Sequence, residues 1–253
     1  MRKLIITLFS GLCLILALNP AFAQVTEFGM IKGTILTING DALSEAQVCL
    51  YRVESGSPFR REYWRMCDFF SRTGADGSFS EIIPAGEYYM LATKKLSGEN
   101  PGPPIDAGDP TWPAWDSREI KTYMVTSEGA TNIGVISGAV PFKEEWLPAG
   151  KTAIEGKVLL KDGTPAEGVL VYASTDPQIQ NLVYISDRRT GFDGKYIVRV
   201  DEDGEYYVRA VGASKPVEKA TVQMGEVTRG IDIRVKENPS SRWDRTKEDK
   251  KQQ

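Results

Sequence analysis

Any chemistry in this chain has to come from carboxylates, thiols and arginine–aromatic clusters, because none of its 253 residues is a histidine. That absence removes serine–histidine and cysteine–histidine nucleophiles, imidazole acid–base catalysis and the usual zinc and haem ligand sets. The expectation is a protein that is not an enzyme and takes no cofactor and no metal. Three constellations remain that could recognise a ligand or join strands.

The first is the proline-rich stretch 97–117, where Trp112 and Trp115 stand beside Asp106, Asp109 and Asp116. Exposed indoles stack on sugar rings or accept a peptide, with carboxylates fixing polar atoms. Alternatively both rings fold back and cap the end of a sheet. The aspartates do not follow the spacing of a calcium loop. The second is 59–72, which interleaves Phe59, Tyr63 and Trp64 with Arg60, Arg61, Arg65 and Arg72. It could meet an acidic partner, or it is an edge strand whose arginines prevent sheet-to-sheet aggregation. The third is Cys49 with Cys67. Two tyrosines, Tyr172 and Tyr184, lie at the corresponding places further on. This predicts a facing cross-strand pair and, in an exported protein, a disulfide; the alternative is two separate buried thiols.

The elements that must position these groups are strands, and they occur twice. Thr73-Gly74-Ala75-Asp76-Gly77-Ser78-Phe79 returns as Thr190-Gly191-Phe192-Asp193-Gly194-Lys195-Tyr196, and Gly86-Glu87-Tyr88-Tyr89 returns as Gly204-Glu205-Tyr206-Tyr207. Met30 to Ile38 alternates apolar and polar residues, and Ile154-Glu155-Gly156-Lys157-Val158 repeats it. Alternation of this kind marks a half-buried strand, and Asp-Gly pairs suit tight hairpin turns. Two in-register copies predict two similar β domains. The stretch 97–117 belongs to the first copy alone; its prolines and lack of periodicity predict a loop without regular structure. Loops carried on rigid scaffolds are where binding residues concentrate, so recognition is expected there.

The turn and core pattern resembles the carboxypeptidase regulatory-like domain, a family similar to the transthyretin (prealbumin-like) β-sandwich. It falls on Gly33, Gly40, Asp76, Gly77, Phe79, Gly86, Tyr88 and Ala92. It falls again on Gly156, Gly163, Pro165, Asp193, Gly194, Tyr196, Gly204, Tyr206 and Ala210. The resemblance implies an all-β chain of two tandem Greek-key sandwiches. It also implies an accessory role, since such domains are attached to peptidases, outer-membrane receptors or surface and adhesion proteins. No catalytic residue carries over.

Residues 1–23 read as a secretory signal: Arg2 and Lys3, an apolar run, then Ala21-Phe22-Ala23 as a cleavage pattern. Without Arg2 and Lys3 the chain keeps 29 of its 31 basic residues against 34 acidic ones, a net charge of −5. That argues against a nucleic-acid partner, and no later stretch is apolar enough to cross a bilayer. The expected domains are 24–137 and 152–236, joined by 138–151 and followed by a charged disordered tail, 237–253. Phe142, Trp146 and Leu147 make the connector too apolar for a free linker, so it is expected to pack and fix the tandem. The function expected is an exported, periplasmic or cell-surface binding or scaffold protein of the bacterial envelope, meeting a glycan, peptide or partner protein. The other class is a structural spacer without a ligand.

Overall fold

A computed structural model describes residues 27–98, 102–115, 120–213 and 217–238. The expected signal (1–23), most of the tail, and Asp116 lie outside the described residues. The chain is all β, and among the described residues only two single 3-10 turns interrupt the strands.

Nine strands come from the first half: β1 (Phe28–Thr37), β2 (Gln47–Arg52), β3 (Trp64–Arg65), β4 (Phe69–Arg72), β5 (Ser78–Pro84), β6 (Gly86–Thr93), β7 (Pro110–Trp112), β8 (Thr122–Val125) and β9 (Ala130–Pro141). Eight follow: β10 (Ala153–Leu160), β11 (Val171–Ser174), β12 (Tyr184–Ile185), β13 (Lys195–Arg199), β14 (Gly204–Ala210), β15 (Glu218–Val222), β16 (Val227–Thr228) and β17 (Ile233–Val235).

Four pairings recur in both halves. Antiparallel β1–β5 corresponds to β10–β13, β2–β6 to β11–β14, β6–β8 to β14–β15, and parallel β1–β9 to β10 with β16 and β17. Each half therefore forms a sandwich whose inner faces carry the apolar residues of the alternating strands. Ile31, Ile35, Val48, Leu50, Phe79 and Met90 fill the first core, and Ile154, Val158, Val171, Val198 and Val208 fill the second.

The repeated turn is a lock made from side chains. Buried Thr73 donates from Oγ1 to Leu43 O at 2.5 Å and accepts from Ala46 N at 2.9 Å. Thr190 does the same with Ala166 O (2.6 Å) and Val169 N (2.9 Å). Asp76 and Asp193 accept the backbone N–H two residues on, closing the turn. Gly77 (φ +77°) and Gly194 (φ +70°) sit in the left-handed region, and a Cβ there would lie 2.4 Å from Ile35 O and 2.6 Å from Val158 O. No other residue fits either place. The Gly-Glu-Tyr-Tyr repeat is explained by two tyrosine corners: Tyr88 donates to Pro84 O at 2.7 Å and Tyr206 to Glu202 O at 3.0 Å.

Two expectations are corrected here. The stretch 97–117 is not wholly irregular, because β7 lies within it and pairs with both β6 and β9. Pro110 is tolerated as the first residue of a three-residue strand. The cysteines do not face each other across strands either. Cys49 stands opposite Phe70 in β4 and Leu91 in β6, and both thiols are free. Cys67 lies in the connection before β4 instead, and the Gln47 amide reaches both sulfurs, at 3.1 Å and 3.6 Å.

Candidate binding cleft between the two sandwiches

The sheets of the two halves are joined by a strand exchange. β3 belongs to the first half by sequence but pairs antiparallel with β12, Tyr184 opposite Arg65 and Ile185 opposite Trp64, extending the second sandwich's sheet to five strands. Met66 N donates to Val183 O at 2.8 Å, and Ala149 and Gly150 donate to Arg61 O and Glu62 O. The stretch 59–72 thus carries the seam and also supplies an end strand to each sheet, β3 to the five-stranded one and β4, with exposed Arg72, to that of the first half. Arg60 and Arg61 remain at its surface. Trp64 is 1% exposed, and Arg65 is buried, donating to Ser55 O and Gly56 O with its guanidinium 5.1 Å from the Tyr51 ring centre.

A third apolar core fills the seam. Trp64, Trp115, Phe142 and Trp146 form a chain of ring contacts with centres 5.4–5.8 Å apart, and Phe59 stands edge-on to Trp115 at 5.2 Å. Cys49, Tyr51, Leu91 and Ile185 complete it. Phe142 and Trp146 are buried and Leu147 is partly so. Aromatic pairs in this geometry add about 0.5–1.5 kcal/mol each beyond the area they bury. Burial also pushes the Cys49 thiol well up, with Cys67 beside it adding to the effect.

The other sequence candidates are structural in the same way. Trp115 is 6% exposed and Trp112 packs against the first core. Asp109 is buried, accepting from Leu96 N and Asp106 N, and with Asp106 it holds the Lys95 ammonium at 3.3 Å and 2.6 Å. These groups tie the stretch 102–115 down onto β6 and the seam; of the described ones only Asp106 is exposed.

What the seam does present is a cleft of about 540 Å³ whose walls come from both halves. Its apolar wall includes the exposed side chains of Met66, Phe70 and Leu182, with Tyr172 and Val183 behind them. Its polar groups include Gln47, Asp68 and Arg189. Asp68 accepts from Arg52 N at 2.8 Å, while the Arg52 guanidinium rests 5.2 Å from the Phe69 ring centre. Leu182 has φ +41°, an uncommon backbone for a leucine, set by the turn in which Asp176 accepts from Gln178, Gln180 and Asn181. Sequence reasoning missed this cleft because its walls meet only through β3–β12 pairing. The one local signal was the adjacent pair Arg188-Arg189 in an acidic chain.

Among the described residues no group of three or more cysteine, aspartate or glutamate side chains is arranged to hold a metal, and no helix is long and apolar enough to cross a membrane.

No protein-family model matches the chain, and no curated protein matches it. Among solved structures it is similar to the Bacillus anthracis TIE protein, at 15% identity and a TM-score of 0.27, over 83% of this chain and 34% of that one. It is similar to a streptococcal ancillary pilin at 13% identity and a TM-score of 0.24, over 83% and 63%, and to the minor pilin of Streptococcus agalactiae at 12% and 0.24, over 81% and 95%. The chain thus spans about a third of the first of these and under two thirds of the second.

Proposed function

We propose that this is an exported, non-catalytic binding protein of the bacterial envelope that holds an extended segment of a partner protein in the cleft between its two sandwiches. The observation carrying this reading is that the cleft walls come from both halves and are fixed to one another by the β3–β12 pairing and the aromatic seam. A preformed apolar cleft lowers the ordering cost of binding. Export rests on the signal-like residues 1–23. We read each half as a carboxypeptidase regulatory-like domain, supported by the twin threonine locks and tyrosine corners.

The test is a selection of displayed 12-residue peptides on the full chain, repeated with Phe70→Glu and Leu182→Glu together. Both side chains are exposed (66% and 38%), so the variant should melt where the wild type does. Selected peptides should lose binding to it by at least tenfold. Peptides that bind both proteins equally would place recognition elsewhere. A selection that yields no binder would favour a spacer without a ligand, which the fixed seam suits equally well.

A further inference from the structure

Arg189 lines not one cavity but three. It borders the cleft described above. It borders a saddle of about 220 Å³ shared with Lys95, Asp106 and Leu170. It also borders a groove of about 570 Å³ on the outer face of β10 and β13. Arg188 borders the last two. The three cavities therefore adjoin along Asp187-Arg188-Arg189, the segment after β12.

The outer groove has a charge opposite to that of the chain. Five cationic side chains, Lys157, Arg188, Arg189, Lys195 and Arg229, meet three carboxylates there, Glu155, Asp187 and Asp232, in a chain of net charge −3. All three are already engaged, Asp187 by Arg199 at 2.8 Å, Glu155 by Arg229 at 3.1 Å and Asp232 by the Lys157 N–H at 2.9 Å. Arg188, Lys195 and Arg229 make ion pairs with Glu144, Asp193 and Glu155, but every partner in these pairs is at least 36% exposed. Exposed pairs of that kind contribute little and exchange readily for another anion.

We infer that the segment bound in the cleft is acidic and continues over Arg188 and Arg189 into the outer groove. This rests on the reading of the cleft as a peptide site and names the chemistry of its occupant. The apolar wall at Met66, Phe70 and Leu182 takes an apolar anchor; the cationic groove takes the carboxylates that follow it. A peptide is favoured over an acidic glycan because one occupant has to satisfy both surfaces. Sequence reading placed the acidic-partner surface on 59–72, at Arg60, Arg61, Arg65 and Arg72; the present inference moves it to the groove on β10 and β13.

The experiment uses the full chain and two fluorescein-labelled 14-residue peptides. One carries a Leu-Phe anchor followed by alternating Glu and Ser; its isostere has Gln for every Glu. Anisotropy titrations are run at 50 and 300 mM salt, with an oligogalacturonate of similar length as the acidic-glycan probe. The acidic peptide should bind at least tenfold tighter than the isostere at low salt, and the advantage should shrink at high salt. Arg188→Glu with Lys195→Glu, both outside the cleft, should remove the advantage and leave isostere binding unchanged. Lys157→Glu with Arg229→Glu serves as a second variant and should lower the advantage too. Equal binding of the two peptides, or an advantage untouched by both variants, overturns the acidic extension while the cleft reading stands. Oligogalacturonate binding as tight as the acidic peptide's overturns the choice of a peptide. If neither peptide binds, both readings fall.

Discussion

Thr190 shows how much one hydroxyl does here: it satisfies a buried carbonyl and a buried N–H on the neighbouring strand entry. Thr190→Val keeps the shape and removes both bonds, so unfolding by denaturant should show a loss of about 1–3 kcal/mol. Asp109→Ala should cost more, roughly 3–5 kcal/mol, because it leaves the buried Lys95 ammonium with only the half-exposed Asp106. Asp187 makes a prediction in pH. Burial raises its carboxyl to about 6 despite the Arg199 guanidinium beside it, and one of its oxygens is buried without a partner. A raised carboxyl binds its proton more tightly in the folded chain, so this group's contribution falls as pH rises from about 4 to about 6 and is level above that. Asp187→Asn lacks the titration. Relative to wild type it should be more favourable at pH 7 than at pH 4, by up to about 3 kcal/mol. Equal differences at the two pH values would mean that Asp187 is not held protonated. Such roles were half legible. The Thr-Gly-x-Asp-Gly spacing announced the turns, since they are local; the burial of Asp109 and Asp187 depends on chain that arrives from elsewhere.

Strands with long alternating runs, such as β1 and β10, could be read from the sequence because one face of each is buried along its own length. β3 and β7 could not. Both are two or three residues long, and their partners lie far along the chain: β12 for β3, and β6 with β9 for β7. The aromatic and basic residues of 59–72 looked like a surface because a seam between two sandwiches has a surface's composition before the partner docks. Cys49 and Cys67 illustrate the same limit. Their neighbourhood was legible from the matching tyrosines, but the register that sets Phe70 opposite Cys49 was not. If β3 is the anchor of the seam, Trp64→Ala should cost about 3–5 kcal/mol, typical of removing a fully buried large aromatic side chain. Amide exchange should then quicken at Met66 and Ile185, on either side of the lost contact, while β14 and β15 stay protected. Unchanged exchange at Met66 would show that β3 holds without its tryptophan.

At the scale of the whole molecule, the question is whether two sandwiches linked by the eleven residues between β9 and β10, 142–152, behave as one body. Each has its own core, and two separable cores would melt as two transitions. The aromatic seam argues otherwise. Phe142 and Trp146 are 2% and 3% exposed; Phe142 contacts Trp64 and Trp115, the second half meets this cluster through Ile185, Leu170 and Tyr172, and Tyr63 reaches into the second core, so unfolding either half would uncover apolar surface of the other. At about 25 cal/mol per Å², the surface shared by these side chains is worth several kcal/mol. That is enough to couple halves of ordinary stability. Calorimetry on the wild type should therefore give a single transition, with van't Hoff and calorimetric enthalpies in agreement. Phe142→Ala with Trp146→Ala should lower the midpoint and split the transition in two, because the inner cores of both halves are left whole while their coupling is lost. Small-angle scattering of the same pair of proteins should change from one fixed separation of the halves to a broad distribution. Two transitions already present in the wild type would mean that the seam is contact without coupling, and the cleft walls would then be free to part.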